Sequence, residues 1–262
     1  MKTFILSIVW VAVLSAVSFS QSLTVHEWGT FTTLHGSDGG TLSGLYIEEE
    51  ALPPFVYHHP GFSPDPIITT NGYRPVKNCT VKMETPVLYF YTDKETKVKV
   101  HVDFPSGTIS QWYPNRSGGE LSPTSDTLTV GGEQNGYIDW DATVLASGSK
   151  EELTQKTISR KWYDPRQTES NLIKNNDGDV EKYLFYRGLA NFALPLALHF
   201  LNDNTLEVKN NSTLSIPFIY IYDHTSHSTV QMWGVGPLAA GETRVFHRPD
   251  TVYYDDHQCP RT

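Results

Sequence analysis

The chain has 262 residues, of which 39% are hydrophobic, 12% aromatic and 19% charged, and only two are cysteines. That composition excludes a disordered, tail-like protein, and two cysteines exclude a disulfide-dense mini-domain. With 29 Asp and Glu against 20 Lys and Arg, the net charge of −9 argues against a nucleic-acid partner, whose phosphates demand a basic patch.

In chain order, residues 1–20 read as an export signal. Lys2 supplies the positive start, Phe4 to Phe19 is an almost unbroken apolar run, and Ser18-Phe19-Ser20 places small residues for cleavage before Gln21. The run is shorter than the ~20 residues of a membrane span, and no later segment approaches that length. A secreted or periplasmic location is expected, with no transmembrane span after cleavage. Export permits a disulfide, and pairing Cys79 with Cys259 would close a long loop and stabilise the fold by ~4 kcal/mol in the entropic model. Cys259 lies close to the chain end, where ordering is weakest. Asn78-Cys79-Thr80, Asn115-Arg116-Ser117 and Asn210-Asn211-Ser212-Thr213 match the short glycosylation sequon.

The dominant period beyond residue 20 is two. Leu23 to Thr33 reads as a first strand, with Leu23, Val25, Glu27, Gly29 and Phe31 on one face and Thr24, His26, Trp28, Thr30 and Thr32 on the other. Met83 to Thr92 is rich in β-formers. In Thr96 to Phe104, Val98, Val100, Val102 and Phe104 alternate with Lys97, Lys99, His101 and Asp103, the pattern of a half-buried strand. Pro105-Ser106-Gly107 turns the chain into Thr108 to Tyr113, so a three-strand meander is expected. Ser147 to Asp179 is polar and turn-rich, with room for a short helix over Lys150 to Ile158. A second β-rich zone begins near Glu181 and includes the alternating run Leu214, Ile216, Phe218, Tyr220 and Tyr222. The spacing of short strands points to an all-β, antiparallel, sandwich-like protein with little helix and an immunoglobulin-like second zone. The expected division is a signal at 1–20, an N-terminal β domain at 21–147, a polar linker or excursion at 148–180, and a C-terminal sandwich-like domain at 181–262.

Glu27 sits among apolar neighbours, and a carboxylate on a buried face must be paired, hydrogen-bonded or raised in pKa. It is either an acid, base or ligand anchor, or a structural carboxylate, with Gly29 marking a bulge that resets the parity. Ten histidines invite a metal reading. His26, His58, His59, His101, His224 and His227 are the candidate ligands, for copper, zinc or calcium, although no metal-binding spacing motif is present. Asn175-Asn176-Asp177-Gly178-Asp179 with Glu181 has clustered oxygens for calcium but lacks the full loop pattern, and reads better as a turn. Glu48-Glu49-Glu50 reads as a solvated charge run. Nucleophile motifs and glycine-rich phosphate loops are absent. Trp112, Trp140, Trp162 and Trp233 either form a stacking platform for a sugar or fill the cores.

Three blocks carry a resemblance. Val25-His26-Glu27-Trp28-Gly29-Thr30-Phe31-Thr32, Met83-Glu84-Thr85-Pro86-Val87-Leu88-Tyr89-Phe90-Tyr91 and Glu181-Lys182-Tyr183-Leu184-Phe185-Tyr186-Arg187-Gly188 resemble, in order, the motifs of a family of exported bacterial proteins with no established function. The resemblance implies a longer protein than this chain and supplies no activity. It directs attention to His26, Glu27, Trp28, Glu84, Glu181 and Arg187. Arg187 is the natural bidentate partner for a half-buried Glu84 or Glu27, and such a cluster is either glue between the two zones or a polar binding site beside His26. The leading functional expectation is a binding or surface module for a glycan, an envelope component or another protein. The rival is a metal-dependent enzyme whose His and Glu residues come from different loops.

Overall fold

The structure is a computed structural model. It describes residues 22–36, 38–43, 45, 52–59, 77–84, 86–121, 135–156, 160–226, 229–247 and 254–255, with the backbone alone at 161, 220–226, 229–235 and 254–255. The expected export signal, Glu48-Glu49-Glu50, His227 and Cys259 lie outside the described residues. Among those described, no helix is long and apolar enough to cross a membrane.

The chain is all-β and antiparallel. Its first half runs through β1 (Leu23–Trp28), β2 (Phe31–Thr32), β3 (Leu34–His35), β4 (Thr41–Leu42), β5 (Tyr57–His58), β6 (Val81–Met83), β7 (Val87–Thr92), β8 (Thr96–Phe104), β9 (Gly107–Tyr113), β10 (Gly118–Glu120) and β11 (Gly136–Val144). A one-turn helix, α1 (Arg160–Tyr163), leads into a 3₁₀ turn (Asp164–Arg166). There follow β12 (Ile173–Asn175), β13 (Val180–Glu181), β14 (Leu184–Ala190), β15 (Leu196–Asn202), β16 (Thr205–Asn210), β17 (Ile219–Ser226), β18 (Thr229–Val235), β19 (Thr243–His247) and β20 (Tyr254–Asp255).

A seven-stranded sheet holds β1, β7, β14, β6 and β2 in that order, with β9 on β14 and β5 on β9. A five-stranded sheet orders β10, β11, β12 and β13, with β8 on β11. The expected meander is therefore a correction. Consecutive strands β7, β8 and β9 do not pair with one another: β7 and β9 flank β14, and β8 crosses to β11. Burial explains the crossing. Almost every residue of β7 and β9 is buried, so both faces of their sheet are covered, whereas β8 alternates half-buried valines with exposed polar residues and has one wet face.

The main core lies between the two sheets. Leu88, Phe90, Ile109, Trp112, Leu184 and Tyr186 of the large sheet meet Phe104, Ile138, Trp140, Ala142, Val144 and Ile173 of the smaller one. On the large sheet's opposite face, Val87, Tyr89, Tyr113, Tyr183 and Phe185 are covered by Val56 and by Trp162 of α1. The polar stretch 148–180 is thus no linker, which corrects the expected division. Its strands β12 and β13 belong to the smaller sheet, and its helical turn covers the larger one. Asn171 stitches it in, donating from Nδ2 to the carbonyls of Thr92 (2.9 Å) and Leu145 (2.8 Å). The helix begins at Arg160, later than the Lys150 expected for it, because residues 150–156 run as irregular chain whose Thr154 Oγ1 accepts from the Val180 amide (2.8 Å). The boundary at 181 fails for a similar reason: β14 is the central strand of the first body.

The later zone is antiparallel β as expected, in two three-stranded sheets, β15-β16-β19 and β17-β18-β20. Val208, Leu238 and Phe246 form a separate small core.

One buried ion pair anchors the helical cover. Arg166 donates from Nε to Glu181 Oε1 (2.9 Å) and from Nη2 to Oε2 (2.5 Å), and its Nη1 donates to the Gln155 carbonyl (2.7 Å). Glu181 is 0% exposed. Removing one partner leaves a buried charge unpaired, so Glu181→Ala should cost about 3–5 kcal/mol in chemical denaturation, while Arg166→Met with Glu181→Leu should recover most of that loss.

Candidate functional site

The expected first strand breaks at Gly29. β1 pairs with β7 as far as Trp28 with Val87, and β2 then pairs with β6 at Phe31 with Met83. A Cβ at Gly29 would lie 2.8 Å from Pro86 Cα, so the close pass over Pro86 requires glycine. The parity before the break holds: Leu23, Val25 and Glu27 share a cleft, and His26 points the other way, its ring 5.1 Å from that of Tyr91.

That cleft, of about 950 Å³, opens along one edge of the sandwich. Leu23, Val25 and Glu27 form one wall, Leu88, Phe90 and Tyr186 the floor, and the whole length of β8 the other wall. The Tyr186 hydroxyl donates to Glu27 Oε1. Burial, then the adjoining carboxylate, pushes the Tyr186 phenol far above its ordinary range, so it stays a neutral donor. Its ring stands edge-on to Phe104, with centroids 6.1 Å apart. Among the described residues, Glu27 is thus oriented by a neutral donor, and it faces a cleft with an apolar floor and a β8 rim that carries Lys97, Lys99, His101 and Asp103.

The other expected residues disperse. Arg187 is held by a backbone carbonyl and a side-chain amide. Its Nε donates to the Glu84 backbone carbonyl and its Nη1 to Gln111 Oε1 (3.1 Å). The Glu84 carboxylate instead meets Lys82 Nζ (3.5 Å) and accepts from Thr32 Oγ1 (3.3 Å), in the break between β6 and β7 rather than on the core face with Leu88 and Phe90. Glu181 is taken up by Arg166. The partner of the buried Glu181 is Arg166, hidden in the sequence behind the turn-like Asp164-Pro165. Trp28 is 68% exposed at the end of β1.

The candidate metal ligands also stand apart. His59 is buried, its Nε2 within 3.0 Å of the Leu121 carbonyl. His58 lies exposed on β5 beside a smaller pocket of about 400 Å³. His224 lies on β17, where the backbone alone is described. Among the described residues, no group of three His, Cys, Asp or Glu is arranged to hold a metal ion. The clustered oxygens after β12 serve a turn: Asn175 Oδ1 accepts from the Asp179 amide (2.8 Å), Asp177 accepts from Asn115 (2.8 Å), and Gly178 takes a φ of +95°. Cys79 is a buried free thiol that donates to the Val81 carbonyl (3.4 Å), and burial pushes its pKa up to about 11. Trp112, Trp140 and Trp162 are buried in the cores, so no stacking platform rests on them.

The sequence reading missed Tyr186 as well as Arg166. The signal for Tyr186 was parity: it shares the inward face of its strand with Leu184 and Gly188, at the level of the one apolar-facing carboxylate in β1.

On the cleft's outer rim, His101 sits between two carboxylates, with Nδ1 2.5 Å from Asp139 Oδ1 and Nε2 3.0 Å from Asp103 Oδ1. Lys99 pairs with Asp141 at 3.2 Å. No protein-family model, curated protein or solved structure matches the chain.

The two carboxylates, Asp139 first and then Asp103, raise the His101 pKa above its ordinary value. A raised native pKa stabilises the fold fully below the unfolded value near 6.5, and that contribution is lost as pH rises through the native pKa. An NMR titration should therefore place His101 above 6.5, and Asp139→Asn should bring it down.

Proposed function

We propose that the chain is an exported, non-enzymatic binding module, a member of the family its three blocks resemble, and that the cleft between β1 and β8 is its site. The observation that carries this reading is Glu27, held by Tyr186 in a cleft whose floor and inner walls are Leu23, Val25, Leu88, Phe90 and the β8 valines, with Lys97, Lys99, His101 and Asp103 along the β8 rim. A carboxylate oriented by a neutral donor keeps its charge and attracts a further donor or a cation, and the apolar walls gain by covering a ligand's apolar face. The ligand is thus amphipathic, with an apolar body and a hydrogen-bond-donating or cationic group. That chemistry suits an envelope component or another protein better than a glycan, since Trp112 and Trp162 are buried. A metal-dependent enzyme gains no support from the described histidines, which do not gather.

A dansyl-labelled octylamine is the direct probe. It should bind saturably with a rise in fluorescence. Glu27→Gln should weaken it about tenfold or more, the scale of one charge-assisted hydrogen bond, with the melting temperature unchanged. Equal affinity for the Gln variant would remove the cleft from consideration.

A further inference from the structure

The two walls of the cleft are built differently. On β1 alternate residues, Leu23, Val25 and Glu27, face it, so β1 offers a side-chain face. On β8 every residue from 97 to 105 borders it, so β8 offers its backbone edge. Among the described strands, β8 pairs with β11 alone, and none pairs along its opposite edge from Lys97 to Phe104. Leu23 and Val25 remain 40% and 46% exposed although they point between the sheets. Among the described strands, none stands beside β8 opposite β1.

We infer that the ligand is an extended polypeptide strand of a partner protein, which adds to the free edge of β8 and lays alternate apolar side chains onto Leu23 and Val25. This rests on the cleft being the binding site. Strand addition supplies main-chain hydrogen bonds for affinity and alternate side-chain pockets for specificity. The cleft follows β8 for nine residues, from Lys97 to Pro105, about 30 Å at the strand rise, a length that a compact ligand would leave mostly empty.

Charge states which strand fits. Lys97, Lys99, His101 and Asp103 stand on the outer face of β8 along the cleft. Lysines on an edge repel indiscriminate pairing. A strand that settles here carries acidic residues over Lys97 and Lys99 and a basic one over Asp103, because opposite charges directly across strands attract and like charges repel. Its inward residue nearest Glu27 is a donor or a cation.

The test uses capped nine-residue peptides with the full chain. One alternates outward glutamate with inward valine and ends in one outward and one inward lysine, a second replaces the glutamates with lysines, a third scrambles the first, and a fourth N-methylates alternate amides of the first along one edge. The acidic peptide should bind about tenfold more tightly than the basic one, slow amide exchange in residues 97–103, and lose binding when scrambled or N-methylated. Lys97→Glu with Lys99→Glu, at exposed positions that leave folding intact, should invert the preference between acidic and basic peptides. Equal binding of all four peptides, or no inversion, overturns the proposal. Protection of β8 that grows with protein concentration and without peptide makes a second copy the occupant, and also overturns it. Binding of the octylamine probe without any peptide binding keeps the cleft as a site but rejects the strand, whereas failure of both probes rejects the site itself.

Discussion

All seven residues of β14, Leu184 to Ala190, are buried, and a strand with no wet face must be covered twice. Leu184, Tyr186 and Ala190 face the smaller sheet, and Phe185 faces Trp162 at 5.2 Å between ring centroids. The second cover is too short to be a sheet and is made from Leu52, Phe55 and Val56 and from Trp162 of the α1 turn, which explains how a mostly polar stretch comes to fold against an aromatic face. Tyr89 donates to the Pro165 carbonyl (2.9 Å) and Tyr183 to that of Trp162 (3.3 Å), so the turn is held through its own backbone. Arg187 is tolerated inside this strand because Gln111 and the Glu84 carbonyl satisfy its guanidinium. The register shifts between Arg187 and Gly188, and a Cβ at Gly188 would lie 2.1 Å from Phe104 Cε1, so glycine lets the two sheets close over this point.

The same strand places the cleft. Tyr186 projects from β14 beneath β7 and reaches Glu27 on β1, the outermost strand of the large sheet. The two sheets do not end together: β1 extends the large sheet past β8, where the smaller one stops. An open edge with apolar lining is ordinarily a hazard of unwanted pairing, blunted with charge. Here the charges are on β8, as Lys97 and Lys99, and the inward apolar faces of both sheets remain accessible.

Much of this architecture was legible. The alternation of Val98, Val100 and Val102 with Lys97, Lys99 and His101 marked a half-buried strand with its true ends, Thr96 and Phe104. The parity of Leu23, Val25 and Glu27 put these three side chains on one side, toward the cleft, but the buried face expected for them is exposed along the whole of β1. Pairing was not legible, because the period of two states which face is buried and not which neighbour supplies the hydrogen bonds. A short turn between β8 and β9 suits a hairpin equally well as a crossing between sheets, and only the two-sided burial of β9 separates them. Arg166 was hidden for a related reason. A buried ion pair within a polar segment resembles any surface charge until the turn of Asp164–Arg166 brings it to Glu181, 15 positions along the chain.

Glu27 and Glu181 show how one residue type is put to opposite uses by its surroundings. Glu181 is fully enclosed, and Arg166 answers both of its oxygens while the Lys182 amide donates to Oε1 (2.7 Å). Its charge and its lone pairs are spent internally, so it can anchor the fold and offers nothing to a ligand. Glu27 lies on an exposed edge strand and is oriented by a phenol that carries no charge. A neutral donor fixes direction without neutralising the charge. The protein thereby holds a directed negative charge at the mouth of an apolar cleft. The cost of desolvating that charge is deferred to the moment of binding, and a ligand without a donor or cation to meet it would leave the carboxylate unpaired as the cleft closes over it. That asymmetry, more than the volume of the cleft, is the basis on which such a site would choose its partner.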